Sequence, residues 1–225
     1  MKKILLIFTS ISTTLYFSQE VVLSQYDLLG GTFSNSVKSS TGRSLNYDEI
    51  SGSPYLDKSF KEAKIAKNYQ NTLVRYNSFK DDVEFKNEAN NEIMVIPKED
   101  KFKTIEILSP KQKLVLLNLD GEYGYYYEVL DGTVSLYKKT KINFIDARPA
   151  STPYGSDQPA SFSNPVISYY IVNGNKSIKN PRNQKDLIQQ MPEKKEVLTS
   201  FFKENKIKFD KEEDMKKLVM FLNQN

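Results

Sequence analysis

From Thr72 to Lys179 apolar and polar positions change places over short runs, a length that suits strands better than helices. Thr72–Tyr76 and Asp82–Lys86 flank a short polar turn, and in the second run Val83 and Phe85 share one face. Glu92–Ile96 and Thr104–Leu108 flank the polar stretch 97–103, and Lys113–Leu119 is a dense apolar run, as expected of a central strand. Asp120-Gly121 and Asp131-Gly132 each separate runs rich in β-branched and aromatic residues. Asn173-Gly174 separates Ile167–Val172 from Lys176–Lys179. These dipeptides accept the positive φ angles of type I′ hairpin turns. They predict an antiparallel meander of Leu114–Leu119, Tyr123–Leu130 and Val134–Lys139. No segment of helical period interleaves with these strands, which argues against a parallel βαβ sheet.

The tail has a different period. Pro181 and Pro192 are placed to open two short helices, and Val197, Leu198, Phe201 and Phe202 follow at helical spacing. Asp210 with Glu213 reads as a capping box for a last helix running to Leu222. Met215, Leu218, Val219 and Leu222 then form one apolar stripe opposite Lys211, Glu212, Asp214, Lys216 and Lys217, the pattern of a packed amphipathic helix. The expected fold is therefore α+β: an antiparallel β-meander sheet or partly open barrel, followed by a C-terminal cluster of short helices. Its parts are an extended or irregular segment over 19–51, a β domain over 52–179 and a helical segment over 180–225 packed on it. Arg148–Asn164, with Pro149, Pro153, Gly155 and Pro159, reads as a long surface loop; such loops are either functional or plain connections.

Residues 1–18 read as a cleavable signal peptide. Lys2 and Lys3 form a positive start, Ile4–Phe8 is wholly apolar, and no charge follows before Glu20. The run is shorter than the roughly 20 residues that span a bilayer. Cleavage near Ser18-Gln19 is expected, although Tyr16 is not the small residue usually found three positions upstream of the cut. No later stretch is long and apolar enough for a transmembrane helix, so the expected location is periplasmic or secreted.

The chain has no cysteine and no histidine. Disulfides, lipid-modified cysteine, thiol nucleophiles and Cys-His zinc sites are thereby excluded, as is a Ser-His-Asp triad. The 32 basic residues fall to 30 once Lys2 and Lys3 are lost, against 28 acidic ones. That near balance gives no reason to expect nucleic acid as a partner. With 39% hydrophobic and 12% aromatic residues, the chain can bury a core.

Three groups of residues carry a resemblance. Gly52-Ser53-Pro54-Tyr55-Leu56 is one; Arg75-Tyr76-Asn77 with Asp82-Val83-Glu84-Phe85 is another. The third is the tail from Phe201-Phe202-Lys203-Glu204-Asn205-Lys206 to Glu213-Asp214-Met215. Together they resemble uncharacterised secreted proteins of Bacteroidota-type bacteria. The resemblance implies export and a β domain with a helical tail; it implies no activity and no functional residue.

Candidate chemistry is sparse. Ser135-Leu-Tyr-Lys138 and Ser200-Phe-Phe-Lys203 match S-x-x-K. The first lies in an expected strand, where residues three apart face opposite ways, and the companion Lys-Thr-Gly is missing. Paired acids occur at Asp81-Asp82 with Glu84, at Glu99-Asp100 and at Glu212-Glu213-Asp214. They are the material of a glycosidase only if two face each other across a cleft. No calcium loop, Walker loop or dinucleotide fingerprint is present, so no cofactor and no metal is expected. Tyr123, Tyr125 and Tyr127 share a strand face near Tyr137. With Tyr154 in the long loop they are the candidate ligand-binding residues, an aromatic platform for a glycan or peptide. Cross-strand packing is the competing explanation. Two readings follow: a non-catalytic envelope protein that binds or scaffolds a glycan or an envelope protein, or a carboxylate-based hydrolase of an envelope polymer.

Overall fold

The structure, a computed structural model, describes residues 33–87, 90–150, 152 and 154–225. The expected signal peptide and residues 19–32 of the expected extended or irregular segment lie outside the described residues.

The fold is α+β. Among the described residues the main sheet has ten antiparallel strands, is open, and is followed by helices. In chain order its strands are β3 (Lys61–Lys64), β4 (Thr72–Asn77), β5 (Asp82–Lys86), β6 (Ile93–Val95), β7 (Thr104–Ile107), β8 (Gln112–Leu119), β9 (Glu122–Leu130), β10 (Val134–Lys141), β13 (Val166–Asn173) and β14 (Lys176–Lys179). Two small hairpins lie beside it, β1 (Ser36–Lys38) with β2 (Ser44–Asn46), and β11 (Phe144–Ile145) with β12 (Ser161–Phe162). Spatial order in the sheet is β14-β13-β10-β9-β8-β7-β3-β4-β5-β6. The meander β7-β8-β9-β10 is thus continuous. β3 is wedged between β7 and β4, so the hairpins β4-β5-β6 grow outward on its far side.

One sheet face is covered in two ways. Over β3–β5 and β7–β9 the sheet curls on itself. Val74, Tyr76, Val83, Phe85, Ile105, Leu114 and Tyr125 meet inside, with Phe102 and Ile96 from connecting segments. Over β10, β13 and β14 the same face is covered by α1 (Gln184–Gln190), α2 (Lys195–Glu204) and α3 (Glu212–Gln224). Met215, Leu218, Val219 and Leu222 of α3 are all buried against Val134, Leu136 and Ile171, as the stripe requires. Among the described residues no helix is long and apolar enough to cross a membrane.

Several expectations need correction. Asp120-Gly121 makes the expected turn, both residues at positive φ (55° and 77°). At the third hairpin Asn173 pairs with Lys176, so the loop is Gly174-Asn175, with positive φ at Gly174 alone. That pattern belongs to a II′ turn rather than I′. Asp131-Gly132 connects β9 to β10, but Gly132 does not have a positive φ. The turn is wider, and the register shifts between Leu136 and Tyr137. This bulge lets both Val129 and Leu130 pack toward the helices.

Gly132 is needed for another reason: an added Cβ would lie 2.6 Å from the Asn223 amide of α3. That amide accepts from Val134 N–H (2.7 Å) and donates to Val134 O (2.8 Å). Pro181 precedes α1 rather than opening it; Asn183 is the cap, accepting from Asp186 N–H (3.0 Å). Pro192 does occupy a first-turn position. Asp210 does not cap α3. The helix begins at Glu212, whose carboxylate is drawn to Lys138 of β10 at 2.6 Å.

Part of the 19–51 segment is ordered into β1 and β2, and Val37 and Ile50 share a cluster with Ile142 and Phe162. The Arg148–Asn164 stretch is not wholly a loop. Arg148 and Gln158 exchange two backbone hydrogen bonds (2.9 and 2.8 Å), and Ser161 bridges Ser51.

Candidate functional site

β9 and β10 pair only from Leu130/Leu136 to Tyr127/Lys138. Beyond that point the strands separate, and two charged side chains fill the gap. Asp81, left-handed at φ 58° in the β4–β5 turn, accepts from the Tyr125 N–H with Oδ1 (3.2 Å). The Lys139 ammonium donates to the Tyr125 carbonyl at 3.5 Å and pairs with Asp81 Oδ1 at 3.2 Å. The pair thus stands in for the missing strand partner of Tyr125, and each charge neutralises the other where water is largely excluded. Gly124 makes the approach possible: a Cβ there would sit 1.9 Å from Asp81 Oδ2 and 2.6 Å from Lys139 Nζ.

The seam has further partners. The Tyr76 hydroxyl donates to Asp81 Oδ1 (2.6 Å), and Lys98 approaches Asp81 and Asp82 at 3.2 and 3.5 Å. Lys139 lies over the Tyr126 ring, 4.4 Å from its centroid, and 3.8 Å from Glu122. Glu122 also accepts from the Tyr170 hydroxyl (3.2 Å) and pairs with Lys179 (3.5 Å). Burial opposes ionisation of Glu122, but Lys139 and Lys179 outweigh it and hold the carboxyl below its ordinary value. Asp82 goes the other way: burial raises it, against the pull of Lys98.

A buried carboxylate, Glu84, lies on β5 of the same hairpin. It accepts from Arg75 Nε (2.7 Å), Asn77 Nδ2 (2.8 Å) and the Tyr55 hydroxyl (3.1 Å). The Arg75 guanidinium is itself held between the Tyr55 and Phe60 rings at 4.1 and 4.4 Å. Burial and the facing Glu84 charge push the Tyr55 hydroxyl upward, so it stays a donor. Among the described residues no buried side-chain nitrogen or oxygen lacks a hydrogen-bond partner, and no group of three acids is placed to hold a metal.

The expected tyrosine platform is not a surface. Tyr125 is 1% exposed, with its hydroxyl on the Phe102 carbonyl (3.2 Å), and Tyr127 packs edge-on against Tyr76 at 5.7 Å. Tyr123 is 53% exposed and donates to the Lys98 carbonyl. Tyr137 is half-buried on the opposite face beside the Tyr126–Tyr170 pair, and Tyr154 is wholly exposed. These residues are not brought together: the curl draws Tyr125 and Tyr127 into the core.

The Ser135/Lys138 pair of the first S-x-x-K match is separated too. Ser135 donates to the Gly132 carbonyl (3.1 Å), while Lys138 serves Glu212. Sequence reading passed over Lys139 and Gly124. The available signal was a lone glycine inside the strand Glu122–Leu130, a common sign that another group approaches the backbone closely. No family model, curated protein or solved structure matches the chain.

Proposed function

We propose that the chain is an exported, non-catalytic binding or scaffolding protein of the cell envelope, its partner a glycan or an envelope protein. The observation that carries this reading is the commitment of its acids. Glu84 and Asp81, which would be the raw material of a carboxylate hydrolase, each hold the main chain or neighbouring side chains in place through three or more partners. Groups so engaged are not free to trade protons with a substrate. Export is supported by the positive start at Lys2 and Lys3, the apolar run Ile4–Phe8, and the resemblance to secreted proteins.

One observation favours the hydrolase instead: Asp82 is raised by burial and lies next to the ion-paired Asp81, the contrast in environment that acid–base pairs use. Sedimentation of the purified chain with bacterial sacculi and with outer-membrane vesicles separates the two. The binding reading expects the chain in the pellet with one of them, and no soluble sugar or peptide released. A chain that stays in every supernatant overturns it. Fragment release abolished by Asp82→Asn overturns it in favour of hydrolysis.

A further inference from the structure

β13 runs further than its outer neighbour. β14 covers it from Tyr170 to Asn173. Asn180, left-handed at φ 44°, then turns the chain away. Before leaving, Asn180 donates its N–H to the Tyr169 carbonyl (2.8 Å), and its Oδ1 accepts from the Tyr169 N–H (2.7 Å). Alternation along β13 follows: Tyr169, Ile171 and Asn173 exchange hydrogen bonds on the β14 side, so Ile167 also aims its N–H and C=O that way. No described residue pairs them.

They open into a groove of about 780 Å³ whose apolar lining is Pro165, Ile167, Tyr169, Pro181, Ile207 and Phe209. Ile167 is 49% exposed. Elsewhere this edge carries Lys176 and Lys179, charges of the kind that discourage strand addition; at Ile167 there is none. Arg182 and Lys208 also line the groove. Their backbone amides are engaged by Asp186 and Asp214, and their side chains have no ion-pair partner among the described residues. Asp210 is the acid in the lining, so cations outnumber acids there two to one, while Asp186 and Asp214 are turned to the backbone amides.

We infer that the open edge of β13 at Ile167 is a docking site for an extended peptide segment of a partner protein, one that carries an acidic residue beside an apolar one. The inference rests on the binding reading above and gives it a place. The added strand would continue the line of β14 and bond Ile167 through its main chain, as in strand augmentation. Its apolar side chain would enter between Ile207 and Phe209, and its acid would face Arg182 and Lys208. A second copy of this chain is a poorer occupant, because the segment it would offer about a two-fold axis, Pro165–Ser168, brings no acid to the basic groove.

The test is selection of a phage-displayed library of random decapeptides against the chain as exported, followed by synthesis of the enriched sequences. Apolar residues alternating with Asp or Glu are expected. Binding should slow hydrogen exchange at the Ile167 amide and disappear when alternate peptide amides are N-methylated. It should weaken roughly tenfold when Arg182→Glu and Lys208→Glu are combined. The exchange measurement uses the unaltered chain, so it does not depend on a variant folding. A library that yields no binder overturns the site. Peptides that bind without protecting Ile167 and ignore both substitutions also overturn it, while the sacculus and vesicle experiment still decides the binding reading. Protection of Ile167 that rises with protein concentration alone overturns the peptide in favour of a second copy.

Discussion

Gly124→Ala tests the seam directly. The new methyl would lie 1.9 Å from Asp81 Oδ2 and 2.8 Å from Asp81 Cγ, distances no side-chain carbon tolerates, so the carboxylate must leave. Asp81 would then lose the Tyr76 hydroxyl, the Tyr125 N–H and the Lys139 ammonium. Lys98, whose side chain is 28% exposed, can return to water, and its share is about 0–1 kcal/mol. Lys139 cannot: its side chain is 7% exposed. Removing one partner of such a buried pair costs about 3–5 kcal/mol. Glu122, 3.8 Å away, takes over part of the compensation and argues for the lower end, about 3 kcal/mol.

Against a total of about 5–15 kcal/mol for a domain, that loss is readily measured in urea melts at fixed m. The decisive experiment is the cycle with Asp81→Ala. Once the carboxylate is gone the methyl meets only the Lys139 ammonium, at 2.6 Å, and that flexible end, no longer held by Asp81, can shift aside. Gly124→Ala should then cost under about 1 kcal/mol in that background, a coupling of about 2 kcal/mol. If Gly124→Ala melts like the parent, or costs the same in both backgrounds, Asp81 does not occupy the gap and the reasoning fails.

Further outcomes follow from the helical layer and the proposed signal peptide. Leu218→Ala, at a fully buried position, should lose about 2–5 kcal/mol in the same melts, while the exposed Lys217→Ala changes stability by no more than about 0.5 kcal/mol. Asn223→Ala leaves both main-chain groups of Val134 without their partner and should cost about 1–3 kcal/mol; equal melting points would show that the strand end does not need it. Burial opposes ionisation of Glu212, but bonds from Lys138 and Lys216 hold it below its ordinary 4.5. Its contribution, up to about 1 kcal/mol, should therefore be complete above pH 4.5 and fade as pH falls through the depressed value. The stability gap between the parent and Glu212→Gln, followed by melts from pH 7 downward, should close below that point; a gap widening in acid would reverse the sign. N-terminal sequencing of material recovered outside the cytoplasm should begin near Gln19, and an intact Met1 would refute cleavage.

Much of the sheet was legible because its cues are local. Strand runs such as Asp82–Lys86 and Lys176–Lys179 coincide with the observed elements, and the α3 stripe is buried as its spacing demands. What escaped was set by distant chain. The wedging of β3 between β7 and β4 leaves no mark in the periodicity of Lys61–Lys64. Asp210 reads locally as the cap of the last helix, and nothing near it reports that Glu212 opens that helix with its carboxylate on Lys138 of β10. Tyr125 and Tyr126 are identical in sequence terms; only the curl decides which joins the Phe102 cluster and which is buried with Tyr170 under Lys139. The binding of Asp81 over Gly124 joins a turn to a strand more than forty residues away, and alternation within either segment cannot report it.

That same distance has a kinetic meaning. The Asp81 clasp closes only after the β4–β5 and β9–β10 hairpins have each formed and met, and contacts of such sequence separation follow the local ones. Its bonds should then be absent from the folding transition state, so Asp81→Ala would leave the refolding rate nearly unchanged and speed unfolding instead. On that account the Asp81–Lys139 pair governs how long the folded state lasts once reached, and so how seldom the chain opens to a protease.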